Sequence, residues 1–392
     1  MIYTQAWAPL VGGVQTVTRD LATGLCDWAR THPGEAIDVT VVTQTPAGDM
    51  NDAELPFRVV RQSGMWKLLS LIRSADILHI ANPAFVPLAL GWLLGKRVVL
   101  EHDGYQSACP NGLLIFQPDR SVCPGHYLAR RYAKCIQCNA GEMGWRKSVL
   151  SLLFTFPRRW LARRVAVNIA PTRHVGKRVA LPKTRFIPHG VPRYSSAAIS
   201  PSQPANSHDV PYFAYAGRLV VEKGLPVLLR ACSILSEQGL LFHLKIVGDG
   251  TERIQLERMA GELGLESRVE FLGSALVENI PRLLSGTVAV IIPSIWEDVA
   301  PLVAYEQLMH GHLVITSDIG GLGEIVDGLG LKFPPGDAEA LAVCMRRVLE
   351  DPDLVTSFRR MASQRAQESF TLERMVADHL FVFKELAGSG AR

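Results

Sequence analysis

The chain has 392 residues, 48% of them hydrophobic and 20% charged, with a formal net charge of +4. This balance excludes a mainly disordered chain, and the length suffices for two domains that each bury a core without disulfide staples. So mild a charge fits anionic small ligands or a membrane surface and excludes a dedicated nucleic-acid binder.

In chain order, only Met1 to Thr4 are left for a first strand, and Gly12-Gly13-Val14 opens a helix with Val14, Val17, Leu21 and Leu25 on one stripe. Strands are expected at Val39–Val42, Ile77–Ile80, Val98–Leu100 and Val165–Ile169. The longest mostly apolar run, Phe85 to Leu94, is too short to cross a bilayer and contains Pro87 and Gly91. The N-terminus lacks the basic and apolar regions of a secretory signal, so a cytoplasmic chain is expected, soluble or peripheral on the inner face of a membrane. Ser195 to Pro211, rich in Ser, Pro and Ala, reads as a linker. Beyond it, strands are expected at Phe213–Tyr215, Leu244–Val247, Val269–Leu272, Val288–Ile292 and Leu313–Ile315. Their near-continuous apolar character suits parallel strands covered on both faces, and the alternation with helices gives an α/β fold. The expected organisation is a first domain over 1–194 with a cysteine-containing insertion at 105–145, a linker at 195–211, a second domain over 212–370 and a final helix over 371–392. Two doubly wound, Rossmann-like domains facing across a cleft are the economical arrangement.

The second half carries the sharpest motifs. Gly217 and Arg218 follow a strand, and Lys223 comes soon after, placing two cations where open α/β sheets bind ligands. Such a pair neutralises a diphosphate without a catalytic metal. Val247-Gly248-Asp249-Gly250 and Phe271-Leu272-Gly273 end two further strands in glycine turns. Pro293-Ser294 leads to Trp296-Glu297-Asp298, and seven residues separate Asp298 from Glu306, so a loop carboxylate and a helix carboxylate can face one polyhydroxyl ligand. Gly320 and Gly321 end the last strand, where backbone N–H groups at a helix N-terminus suit phosphate.

In this order the motifs resemble the donor domain of retaining GT-B glycosyltransferases of family 4. The resemblance implies a nucleotide-diphosphate sugar as donor, with Arg218 and Lys223 on the diphosphate and Glu306 on the ribose. The first acidic position, here Asp298 in place of the usual Glu and with Glu297 beside it, would contact the transferred sugar. It also implies that Gly12 and Gly13 form an acceptor-side loop and that His102, at the end of a strand, lies in the cleft. The final helix is expected to return to the first domain. The family commonly builds bacterial surface polysaccharides and glycolipids, so a lipid-linked saccharide is the expected acceptor. A nucleotide-sugar 2-epimerase and a non-catalytic nucleotide-sugar-binding partner are the alternatives.

Two features stand outside these motifs. Cys109, Cys123, Cys135 and Cys138 fall in one thirty-residue window and leave two readings open: a structural zinc site of four thiolates, or reduced unligated thiols. Trp145 to Arg164 mixes aromatic residues with Arg146, Lys147, Arg158, Arg159, Arg163 and Arg164, which suits either an anionic lipid surface or a core helix with a basic face. Pro157 is expected to interrupt that helix.

Overall fold

The computed structural model describes residues 1–10, 12–35, 37–48, 50–193, 210–276 and 279–388. The expected linker at 195–211 lies outside the described residues except for its last two. The chain divides into one unit of Met1–Gly190 with Leu372–Arg392 and another of Val191–Thr371.

The first unit runs β1 (Ile2–Thr4), α1 (Gly13–Thr31), β2 (Thr40–Thr43), β3 (Arg58–Arg61), α2 (Met65–Ser74), β4 (Ile77–Ala81), α3 (Phe85–Leu93) and β5 (Arg97–Glu101). A small hairpin, β6 (Ile115–Phe116) and β7 (Ser121–Val122), precedes α4 (Tyr132–Met143) and α5 (Trp145–Ala162), followed by β8 (Val167–Ala170), α6 (Arg173–Val179) and β9 (Thr184–Phe186). The seven-stranded sheet has the order β3-β2-β1-β4-β5-β8-β9, parallel throughout. Three residues suffice for β1 because it is central and fully buried, pairing with β2 and β4. Strands β3 and β9 have no counterpart in the sequence expectations. Both are edge strands with half-exposed, polar-flanked residues, so they lack the continuous apolar signal of a doubly covered strand.

Helix α5 is continuous through Pro157, contrary to the expected interruption. The missing bond frees only the Leu153 carbonyl, and Leu153 lies on the exposed side of the helix where water can reach it.

The second unit runs β10 (Tyr212–Ala216), α7 (Leu225–Glu237), β11 (His243–Val247), α8 (Arg253–Glu262), β12 (Val269–Gly273), α9 (Ile280–Leu283), β13 (Ala289–Ile292), α10 (Leu302–Met309), β14 (Val314–Ser317), α11 (Gly320–Ile325), β15 (Leu331–Phe333), α12 (Ala338–Glu350) and α13 (Pro352–Ser369). Its parallel sheet has the order β12-β11-β10-β13-β14-β15. On β10 the period of two sends Phe213 and Tyr215 into one core layer and Ala214 and Ala216 into the other. Strand order reverses between β10 and β13, so the loops after these two strands flank the topological switch point, where open α/β sheets bind ligands.

The last helix, α14 (Leu372–Gly388), packs on α1 and β4 of the first unit. A buried ionic cluster ties it there. His79 on β4 is 3.0 Å from Glu101 on β5, and His379 on α14 is 3.8 Å from the other Glu101 oxygen. Burial alone would raise the Glu101 carboxyl, yet hydrogen bonds and charge from His379 and His79 hold it well below the usual carboxylate range.

Candidate functional site

The second unit gathers the expected donor-side residues at the carboxyl ends of its strands. Gly217 and Arg218 follow β10, Lys223 ends a 3-10 turn before α7, and Gly248 follows β11. Glu297 and Asp298 lie between β13 and α10, Glu306 is on α10, and Gly320 and Gly321 begin α11.

Backbone hydrogen bonds knit these loops together. Gly217 N–H donates to the Val247 carbonyl at 2.9 Å, Gly248 N–H to Gly273 at 2.8 Å, and Leu219 N–H to Asp249 at 2.9 Å. Across the switch point, Ile295 N–H donates to Glu222 at 3.0 Å. At Gly248, with φ +142°, a Cβ would fall 1.8 Å from the Gly217 carbonyl oxygen. At Gly320, with φ +62°, it would fall 2.8 Å from the Asp298 carbonyl oxygen and from the Glu297 Cα. Both positions need glycine for backbone conformation and for close approach.

The polar side chains divide into a tied pair and an open cation. Lys223 Nζ donates to both Asp298 oxygens, at 2.8 and 3.0 Å, and Ser294 Oγ donates to Asp298 Oδ2 at 2.7 Å. Ser317 Oγ in turn donates to the Ser294 carbonyl at 2.6 Å, linking the ends of β13 and β14. Arg218 is exposed, and its guanidinium has no hydrogen-bond or ion-pair partner among the described residues. Tyr215 Oη anchors the Arg218 carbonyl at 2.8 Å, and burial, reinforced by the Asp298 charge, raises the Tyr215 phenol. Glu297 and Glu306 are half-buried.

Two expectations change. Asp298 is buried, with 5% of its surface exposed, and in this structure its carboxylate holds Lys223 and Ser294 rather than facing open space. Gly321 N–H donates to the Asp298 carbonyl at 2.8 Å, so this amide braces the loop and is not offered to a phosphate. The sequence reading gave Ser294 and Ser317 no role. Their signal was a hydroxyl residue directly after an apolar strand or at its end.

In the first unit, Gly12 caps α1 with no side-chain cap bond, and a Cβ on Gly13 would meet open space. His102 is fully buried, with Nε2 2.9 Å from Asn168 Oδ1. Asn168 Nδ2 donates to the Ala162 and Pro182 carbonyls, which fixes Oδ1 as an acceptor. The His102 proton therefore sits on Nε2, and burial lowers the imidazole to about 4, so the ring is neutral at neutral pH. Asn168 was missed, although a polar residue inside the apolar strand Val165–Ile169 was the available sign. Next to His102, Asp103 Oδ1 lies 2.9 Å from His189 Nε2. Burial, then the Glu101 charge, raises the Asp103 carboxyl.

Among the described residues, His79–Glu101–His379 and Glu101–Asp103–His189 are the groups of three whose ligand atoms lie within 4.8 Å of one another. Both are composed of groups already paired with each other. The four window cysteines are all buried and unbridged, and they line one small cavity.

Residues 198–368 match the family described as glycosyl transferases group 1. Among curated relatives, the α-D-kanosaminyltransferase of Streptomyces kanamyceticus is 32% identical over 148 residues, 37% of this chain and 38% of that protein. The 2-deoxystreptamine glucosyltransferase of the same organism is 28% identical over 180 residues, 45% of this chain and 46% of that protein. The chain thus matches less than half the length of these relatives. In structure, HepE of Anabaena in complex with UDP superposes with a TM-score of 0.70 at 17% identity, over 98% of this chain and 99% of that one. The second unit thus carries the match to the group 1 glycosyl transferases, and the two doubly wound parallel-sheet units share the GT-B fold of these structural neighbours.

Proposed function

We propose that the chain is a retaining glycosyltransferase that moves a sugar from a nucleotide-diphosphate sugar to a hydroxyl acceptor. One observation carries the reading: Arg218, without a partner among the described residues, and Lys223 stand at the strand ends of the second unit beside the switch point. Two cations there match the charge of a leaving diphosphate. In the proposed step the anomeric C–O bond to phosphate breaks, and the acceptor oxygen bonds to the same face of the anomeric carbon. The leaving phosphate oxygen takes the acceptor proton. Arg218 and Lys223 stabilise the charge that develops on the diphosphate, with Lys223 shared between the phosphate and Asp298. Glu306 is assigned to the ribose. Asp298 is assigned first to holding Lys223, which gives the half-buried Glu297 the better access to the transferred sugar. Gly12 and Gly13 are the proposed acceptor-side loop, whereas His102, fully buried against Asn168 and not open to a ligand as the sequence led one to expect, is assigned a positioning role rather than contact with substrate. The reading needs no catalytic metal.

The proposed acceptor is a lipid-linked saccharide of bacterial surface polysaccharide synthesis, reached at an anionic membrane surface on the cytoplasmic side. The support is the face of α5, α3 and α2. Trp145, Leu150, Leu153, Phe154 and Trp160 on α5 are exposed beside Trp92 and Leu93 on α3, and Trp66 on α2 is 83% exposed. Trp92 meets Trp160 edge to face, and Phe85 meets Phe154. Exposed Arg146, Lys147, Arg163 and Arg164 flank this apolar surface, with Arg164 stacked 3.6 Å from the Trp160 ring centroid. Arg158 and Arg159 do not join it, because they donate to backbone carbonyls of Gln106, Ser107, Val179 and Ala180. No described helix is long and apolar enough to cross a membrane, so the attachment proposed is superficial.

The test is a thermal-shift panel of nucleoside diphosphates and nucleotide sugars, with Arg218→Ala as control. A selective shift lost in the variant, followed by transfer to a lipid-linked acceptor with the donor's anomeric configuration retained in the product's NMR spectrum, is the expected result. Sugar conversion without any acceptor would identify an epimerase, and binding without turnover a silent partner. No shift with any nucleotide would sink the donor-site assignment.

A further inference from the structure

We propose that Cys109, Cys123, Cys135 and Cys138 bind one zinc ion through four thiolates and thereby staple the insertion of the first unit. The cysteines arrive from three separate stretches. Cys109 is in the loop after β5, Cys123 directly follows β7, and Cys135 and Cys138 lie one turn apart on α4. All four are buried, and together with Asn111 and His126 they line a cavity of about 10 Å³, room for a single water-sized sphere.

Two N–H donors reach one of the four sulfurs. Gln117 N–H donates to Cys138 Sγ at 3.3 Å, and Asn111 Nδ2 donates to the same sulfur at 3.4 Å. Such donors stabilise negative sulfur, as the outer-shell bonds of thiolate metal sites do. Arg178 donates to the Cys123 carbonyl, adding a fixed cation at the edge of the cluster. Four bare thiolates cannot share so small a volume. A multivalent cation would accept all four sulfurs as thiolates and cancel this mutual repulsion.

The thiols now hold protons. Cys109 Sγ donates to Asn111 Oδ1 at 2.9 Å and Cys138 Sγ to the Ile115 carbonyl at 3.2 Å. On binding, each thiol gives its proton to solvent, and four Zn–S bonds of about 2.3 Å replace these contacts. Among the described residues no three of the four sulfurs lie within 4.8 Å of one another, so ligation draws them inward to about 3.8 Å, the edge of a tetrahedron with those bond lengths. The local core explains the need. Tyr127, Cys135 and Leu152, with Tyr132 and Ile136 against them, form a small cluster separate from the sheet cores. The segment has only two-residue strands and one helix, and a metal staple would add to what its buried side chains supply. A site filled by four protein thiolates has no open position, so its role is structural.

The experiment is metal analysis of the full chain, produced in zinc-containing medium and purified without chelators. About one zinc per chain is expected. It should be lost in the Cys135→Ser/Cys138→Ser variant and kept in Cys26→Ser, Cys344→Ser and His126→Ala. Because the double variant can fail to fold, cobalt substitution of the unaltered chain is the second measurement, and it should give thiolate-to-cobalt charge transfer with intense tetrahedral bands. A chain without stoichiometric metal, zinc retained in the double variant, a cobalt spectrum without sulfur ligation, or disulfides among these residues by mass spectrometry would each overturn the proposal.

Discussion

The Lys223 ammonium lies 2.8 and 3.0 Å from the two oxygens of Asp298, and this pair joins the loop after β10 to the loop after β13. An aspartate at this position is short enough to stay under the lysine, where Ser294 holds it. On the proposed function, a bound diphosphate would compete with Asp298 for the same ammonium. Lys223→Ala is therefore expected to weaken binding of the preferred nucleoside diphosphate by about 10- to 100-fold, the scale of one lost charged hydrogen bond. Asp298→Asn removes the competing charge but keeps the shape. It should leave nucleotide affinity unchanged or tighter while lowering the transfer rate. Calorimetric titration beside a turnover assay separates the two effects. Equal loss of affinity in both variants would rule out competition for Lys223.

Gly248 sets a second expectation. Its Cβ would meet the Gly217 carbonyl oxygen at 1.8 Å, and neither backbone segment can move without breaking the bonds from Gly217 N–H to Val247 and from Gly248 N–H to Gly273. Gly248→Ala should destabilise the second unit by about 2–4 kcal/mol, from backbone strain and steric overlap together. Gly13→Ala, facing open space, should cost under about 0.5 kcal/mol. Chemical denaturation followed by a probe in each unit would read both, and equal effects would contradict the close-approach argument.

The strands that position this site were legible because doubly covered parallel strands read as apolar runs, and the site glycines and charges follow them directly. What the sequence hid is instructive. Strands β3, β9 and β15 lie at sheet edges, where one side is unpaired and the apolar signal fades. The Asp298–Lys223 pairing joins residues 75 apart, and no local pattern reports it. Arg158 and Arg159 counted as surface cations in the sequence, yet their guanidinium groups satisfy backbone carbonyls. Composition gives a residue type, whereas packing decides which way its charged end turns.

The remaining cations and the exposed aromatics of α5 give a third expectation. The chain should co-sediment with vesicles containing anionic lipid and less with neutral vesicles, and added salt should weaken binding. Leu153→Glu/Trp160→Glu should abolish it by removing apolar contact. Arg163→Ser/Arg164→Ser should reduce only the preference for anionic lipid. Nucleotide thermal shifts should persist in both variants, since none of these residues belongs to the second unit. Binding equally strong to neutral and anionic vesicles would remove the electrostatic part of the proposal.

Acid stability gives the last expectation. His102 is neutral and fully buried, its imidazole lowered to about 4 by burial against an ordinary 6.5. Asn168 and the Glu101 charge favour the protonated ring, and the Arg159 charge opposes it. Between these two values the unfolded chain binds a proton that the folded chain refuses, so stability falls as pH drops from about 6.5 to about 4. At about 1.4 kcal/mol per unit the full loss is about 3 kcal/mol. His312 in the second unit, lowered to about 3 by burial first and then by Arg359 and His310, is exposed to the same window and must be cancelled by comparison. Glu101 acts at lower pH, because a carboxyl held below its ordinary value loses its contribution only as acid reaches that range. Denaturant unfolding of the first unit across pH 4–7 in the unaltered chain and in His102→Gln would isolate the term. The variant should flatten the slope by about one proton, and an unchanged slope would mean that His102 takes up its proton in the folded chain as readily as in the unfolded one.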